Sequence, residues 1–227
     1  MIVLGLVGDP AGGKSTAARF LAGLGSEWIN ADLIARECLH HPDVLDALTH
    51  RFGRSVLNGA GEIDRAKVAD LVFGTDPDHR QNLQFLESLV HPKTRLEIHQ
   101  RIVEAARSGF RVALLDVPLL FESGWDRGCD SIFCITASRE NRLSRSQIRG
   151  WDASELDRRE SSQMPIETKC RLSNLVMQND ATLEALQQNL RRGWDQLVRM
   201  ESRSAATASD TPPSHPPHCV SDRTHSS

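Results

Sequence analysis

Near the amino terminus, Gly8-Asp9-Pro10-Ala11-Gly12-Gly13-Lys14-Ser15 fits the pattern G-x-x-x-x-G-K-[ST], a loop whose backbone N–H groups cradle phosphate oxygens. Its glycines let the chain curl with those N–H groups turned inward, and the helix that follows adds partial positive charge at its first turn. Gly8, Ala11, Gly12, Gly13 and Thr16 are expected to wrap the phosphates of a nucleotide, with Lys14 reaching the β- and γ-phosphates and the Ser15 hydroxyl ligating Mg²⁺. Other residues must decide whether the terminal phosphoryl goes to water, to a second substrate or nowhere.

Two carboxylates stand where they can take part. Asp32 follows the next apolar segment, at the carboxyl end of a strand beside the loop, where ligands of open α/β sheets sit. It can orient an attacking hydroxyl and accept its proton, or it can simply cap the following helix; the spacing fits both uses. Asp116 ends the run Arg111 to Asp116 (RVALLD) and has the position of a carboxylate that holds Mg²⁺, or of a polar strand end. Arginines at 142, 145, 149, 158 and 159 crowd one polar helical stretch. Such a run forms either a lid that neutralises charge building on a transferring phosphoryl or a solvated helix face.

These groups need a sheet to hold them. Ile2 to Val7, Trp28-Ile29, 111–116, 131–136 and 175–178 read as strands, and the first is a continuous apolar run as in a parallel strand buried on both faces. Helical spacing at Ala17, Ala18, Phe20, Leu21 and Leu24, with stop signals at Gly23 and Gly25, completes a βαβ unit with a further helix from about Leu33 to Leu39. Residues from about 40 to 107 are helical almost throughout and read as an insertion, 138–173 as a helical lid, and 181–200 as a carboxy-terminal amphipathic helix. The predicted fold is α/β: a three-layer P-loop NTPase domain over residues 1–200, its parallel sheet covered by helices on both faces. From 201 the chain is rich in Ser, Thr, Pro and His, too polar to offset its ordering entropy, and a disordered tail is expected over 201–227.

Composition narrows the partners. The 227 residues carry a net charge of −3, which provides no global basic field for nucleic acid or anionic lipid. The opening MIVLGLVG lacks the charged region of a signal peptide and is far shorter than a membrane span, so a cytoplasmic protein is expected, with no nucleic-acid or membrane partner. Five cysteines in no metal-binding spacing read as reduced thiols, and the tail histidines His215, His218 and His225 as solvated. No heptad or interface pattern stands out, so a monomer or weak homo-oligomer is expected.

Taken together, these residues resemble the dephospho-CoA kinase family over about residues 2 to 197. The P-loop is followed by Asn30-Ala31-Asp32-Leu33-Ile34-Ala35-Arg36, similar to the family's D-A-D-x-I-A-R. Val90-His91-Pro92 resembles its L-H-P, and Val117-Pro118-Leu119-Leu120-Phe121-Glu122 its V-P-L-L-x-E. Arg145 with Arg149, Gln163-Met164-Pro165 with Lys169, and Asn179 complete the set, all in the family's order. The resemblance implies ATP with Mg²⁺ as donor and the ribose 3′-hydroxyl of dephospho-CoA as acceptor. It implies that Asp32 is the general base or the group that positions the hydroxyl, that the helical insertion with Arg36, His91, Pro118, Leu119 and Glu122 binds the acceptor, that Arg145 and Arg149 act from the lid, and that Asn179 lies near the adenine.

The chain departs from the family at three places. Where the family carries G-G-I-G-S-G-K-S, Pro10 removes a backbone donor and Asp9 adds negative charge, which predicts weaker ATP binding. Asn30 replaces the first aspartate of D-A-D, and Gly150 follows Arg149 where an aspartate is usual. Competing readings are another P-loop nucleoside or nucleotide kinase, a nucleotide-dependent switch, and a degenerate member that binds ATP without transferring; the absence of N-K-x-D disfavours a guanine-reading switch.

Overall fold

The computed structural model describes residues 1–74 and 76–209. Five strands, β1 (Ile2–Gly8), β2 (Glu27–Asn30), β3 (Val112–Asp116), β4 (Ser131–Thr136) and β5 (Leu175–Gln178), form one parallel sheet in the order β2-β3-β1-β4-β5. Successive side chains of a strand point to opposite faces, and here both faces are apolar. Leu4, Leu6, Val112, Leu114, Phe133 and Ile135 pack to one side against α1 (Lys14–Gly23) and α9 (Leu183–Ser209). Val7, Ala113, Leu115, Ile132 and Cys134 pack to the other, against α2 (Ala31–Cys38) and α5 (Pro77–Arg107). Each fully buried leucine or isoleucine of these layers contributes about 1.5–3 kcal/mol of transfer free energy.

Between β2 and β3 the chain also forms α3 (Pro42–Phe52), a 3₁₀ turn at Arg54–Val56 and α4 (Arg65–Val72). Val44, Leu48, Val56, Ile63, Val68 and Val72 give this lobe a core of its own, onto which α5 docks through Leu83, Phe85, Leu86 and Leu89. Between β4 and β5 lie α6 (Arg139–Ile148), α7 (Ala153–Ser161) and α8 (Ile166–Leu172).

Three features differ from the sequence reading. The second helix begins at Ala31 rather than Leu33, because the Asn30 side chain accepts from Leu33 N at 3.0 Å and caps it. The strand that leads to Asp32, β2, is not beside the strand that carries the loop: β3 lies between β2 and β1. The last helix does not end at 200: it runs to Ser209, over a stretch where Ala205, Ala206 and Ala208 are strong helix formers. The remainder of the expected tail, with its histidines and Cys219, lies outside the described residues. Among the described residues no helix is long and apolar enough to cross a membrane.

Candidate active site

The register of the sheet brings the chemistry to one edge. Asn30 pairs with Asp116 at the carboxyl ends of β2 and β3, and Gly8 pairs with Ile135 at the ends of β1 and β4. The phosphate-binding loop leaves β1 here under close contact, since a Cβ on Gly8 would run into the carbonyl of Ile135. Within the loop, Asp9 N donates to Ile135 O at 3.2 Å and Gly12 N to Asp9 O at 3.0 Å. Among the described residues the amides of Ala11, Gly13, Lys14 and Ser15 bond no carbonyl, so these four donors remain although Pro10 supplies none. Thr16 N instead bonds Gly13 O at 3.0 Å as the helix begins. Gly13 adopts φ +109°, a conformation that favours glycine, and a Cβ there would strike the Asn179 amide.

Asn179 and Arg145 fasten this loop from outside. Asn179 Nδ2 donates to Gly12 O at 2.8 Å, while Arg145 reaches Gly12 O at 3.3 Å and Asn179 O at 2.7 Å. Asn179 is buried with its amide committed to the loop backbone, so it positions the loop. Lys14 Nζ forms an ion pair with Asp116 Oδ1, and the other oxygen of Asp116 accepts from Trp28 Nε1 at 3.2 Å. Asp116 is 4% exposed and is thereby oriented by both neighbours. Ser15 stands exposed in the first turn of α1.

Asp9 is engaged by side chains of β4 and α6. It is 8% exposed, accepts from Thr136 Oγ1 at 2.6 Å and lies 3.8 Å from Arg142 Nε. Arg142 is itself buried and also pairs with Glu160 of α7 and donates to Ala137 O at 2.9 Å. Lys169, 2% exposed, donates to Gln163 Oε1 at 2.7 Å; burial lowers its pKa, opposed by the nearby charges of Glu122 and Asp9. The negative charge at Asp9 is thus met by two buried cations, one on α6 and one on α8.

Asp32 sits in the first turn of α2 with its side chain exposed and, among the described residues, without a hydrogen bond or ion pair. Asn30 takes the capping role, which frees Asp32 from it. Asp32, His91, Pro118 and Leu119 line one cavity of about 270 Å³ with Arg95 and Trp125. A second cavity of about 290 Å³ adjoins it, sharing Ala35 and His91; Arg36 lines it with an apolar wall of Val68, Val72 and Leu86. Glu122 does not line either cavity: its Oε1 accepts from Met164 N at 2.6 Å and ties down the turn before α8.

The arginine run divides. Arg142 and Arg145 turn inward, whereas Arg149 caps the end of α6 in solvent, with its guanidinium 5.5 Å from the centre of the Trp151 ring. Arg159 lies 4.1 Å from the same centre and pairs with Glu155, as does Arg158. The structure therefore brings Arg145, but not Arg149, to the phosphate loop. Trp28 and Arg95 are site residues that the sequence reading did not assign to the site, and Arg142 entered it only as one member of the arginine run. Arg95 follows His91 by four positions on one helix, the spacing that puts two side chains on the same face, and this offered the signal to find it.

Comparison with known proteins sets this geometry in a family. The family model for dephospho-CoA kinase matches residues 2–185. A dephospho-CoA kinase of Rhodopirellula baltica is 37% identical over 184 residues, covering 81% of this chain and 85% of its own, and that of Carboxydothermus hydrogenoformans is 37% identical over 191 residues, covering 83% and 90%. Among solved structures, TT1252 from Thermus thermophilus superposes with a TM-score of 0.68 at 30% identity, covering 93% of this chain and 98% of its own. Dephospho-CoA kinase from Campylobacter jejuni has the same fold, with a TM-score of 0.63 at 22% identity, covering 86% and 96%.

Proposed function

The chain belongs to the dephospho-CoA kinase family, and we propose that it transfers the γ-phosphoryl group of ATP to the ribose 3′-hydroxyl of dephospho-CoA, giving coenzyme A and ADP. The observation that carries the reading is Asp32: an uncommitted carboxylate just past the carboxyl end of the edge strand β2, at the same end of the parallel sheet as the P-loop, lining a cavity large enough for the reacting end of a nucleotide.

In this reaction the 3′-oxygen forms a bond to the γ-phosphorus as the bond from that phosphorus to the β,γ-bridging oxygen breaks. The hydroxyl proton passes to the Asp32 carboxylate, and ADP leaves. The free amides of Ala11, Gly13, Lys14 and Ser15 bind the phosphates, and Lys14, drawn from its pair with Asp116, meets charge on the transferring group. Ser15 and Asp116 supply an uncharged and a charged oxygen, a donor set that suits Mg²⁺, an ion that keeps several waters and takes few protein ligands. When bound there, Mg²⁺ neutralises charge on the β- and γ-phosphate oxygens.

The adjoining cavities fit the two ends of the acceptor: the Asp32 cavity suits its nucleotide, and the apolar cavity between α2, α4 and α5 suits its pantetheine arm. The helical block from about 40 to 107 would then be the acceptor lobe and α6 to α8 the lid, with Arg149 reaching the transferred group only on closure. The reaction belongs to the cytoplasm and requires neither nucleic acid nor membrane.

The test is ADP release with ATP and Mg²⁺ in parallel reactions containing dephospho-CoA, AMP, CMP, uridine, adenosine or no acceptor. Turnover confined to dephospho-CoA is expected. Turnover with another acceptor would discard the CoA assignment, and ATP binding without any turnover would point to a degenerate member.

A further inference from the structure

Arg95 lines the Asp32 cavity and is the one lysine or arginine among its lining residues. Its guanidinium carbon lies 5.0 Å from the centre of the Trp125 ring, and Nη2 donates to the carbonyl of Ser123 at 3.3 Å. Neither contact offers a countercharge. The other cations nearby on α5 are compensated: Lys93 pairs with Asp43 at 2.5 Å, and Arg101 with Glu37 at 2.5 Å and Glu97 at 2.9 Å. Arg95 pairs with no carboxylate among the described residues. Trp125 is itself nearly buried and also meets His99, with ring centres 5.2 Å apart. The contacts with Trp125 and Ser123 position the guanidinium and leave most of its donors free, an arrangement suited to bidentate recognition of a phosphate.

From this geometry we propose that Arg95 binds the 5′-diphosphate of the acceptor and is the residue by which the site prefers dephospho-CoA to a nucleoside. The inference rests on the acceptor assigned above. The 3′-hydroxyl and the 5′-diphosphate hang from one ribose, so a hydroxyl placed on Asp32 puts the diphosphate against another part of the same cavity. Asp32 repels that anion, and Arg95 is the permanent cation available to receive it. Trp125 serves as a positioning residue for Arg95.

Steady-state kinetics of the full chain with Arg95→Gln and Arg95→Lys at saturating ATP and Mg²⁺ test this, with adenosine run as a competitor against dephospho-CoA. In Arg95→Gln the KM for dephospho-CoA should rise about 10- to 100-fold, as expected for losing one or two charge-assisted hydrogen bonds, with kcat and the KM for ATP within about twofold. Arg95→Lys should recover part of the loss, and inhibition by adenosine should be unchanged. An unaltered KM for dephospho-CoA in Arg95→Gln would overturn the proposal, as would a loss shared equally by ATP and kcat. A wild-type enzyme that transfers to some other acceptor would instead overturn the assignment on which it rests.

Discussion

The two halves of the site are built differently. On the donor side, Lys14 is paired with Asp116, Asp116 is held by Trp28, Gly12 is gripped by Asn179 and Arg145, and Asp9 is locked between Thr136 and Arg142. On the acceptor side, the side chains of Asp32 and His91 make no hydrogen bond among the described residues, and that of Arg95 makes one. A loop that must present backbone donors to phosphate gains from being fixed before the nucleotide arrives, because preorganised dipoles need no rearrangement at the moment of reaction. A cavity that must admit a long, flexible acceptor gains from side chains left free to meet it.

Asp32→Asn tests the contrast most severely. It should lower kcat by about 10²- to 10⁴-fold, the range for losing a general base, and leave ATP affinity unchanged by titration. Turnover equal to wild type would take Asp32 out of the chemistry. Asn179→Ala should do the reverse, weakening ATP binding by roughly tenfold through a loosened Gly12 and leaving the affinity for dephospho-CoA alone. A loss confined to the acceptor would break the division proposed between the halves.

Smaller effects sharpen the donor side. Asp9→Ala removes the acceptor of the Thr136 hydroxyl and one partner of buried Arg142, and should lower unfolding stability by about 1–3 kcal/mol in denaturant melts. A gain in stability would show that Asp9 is a burden on the fold. The smallest effect concerns Asp180, which accepts from Ser138 N at 2.6 Å and Asn141 Nδ2 at 2.9 Å at the start of α6. Chiefly through the Asn141 bond, and then the Ser138 amide, its pKa is held down from 3.8 to about 2. A carboxyl whose folded pKa is depressed stabilises the fold above its unfolded value and loses that contribution as pH falls through the folded one. The melting-temperature gap between wild type and Asp180→Ala should therefore narrow as pH drops from 3.8 toward about 2. A gap independent of pH would remove the charge from the explanation.

The same contrast governs what the sequence makes legible. The strands were legible because Leu4, Leu6, Val7 and their counterparts form unbroken apolar runs, which a parallel sheet buried on both faces requires. The P-loop was legible because its glycines, Lys14 and Ser15 must stand at fixed spacing to do their work. The capping assignment at Asn30 turned on a single side-chain bond, and the sequence pattern alone allowed Asp32 the same role. The burial of Asp9 against Arg142 joins residues remote in the chain, and no local periodicity encodes it. Glu122 and Asn179 stand in recognisable motifs, yet their partners, Met164 N and Gly12 O, are set by how the loops fold back. Position along the chain located these residues, and tertiary contact gave them their uses.

The central claim is best tested by the site of phosphorylation itself: the product of a reaction with ATP, Mg²⁺ and dephospho-CoA, characterised by mass and by phosphorus–proton NMR coupling. The account predicts one new phosphate, on the ribose 3′-oxygen, formed together with ADP. A phosphate at the 2′-oxygen, or ADP formed with dephospho-CoA unchanged, would contradict it.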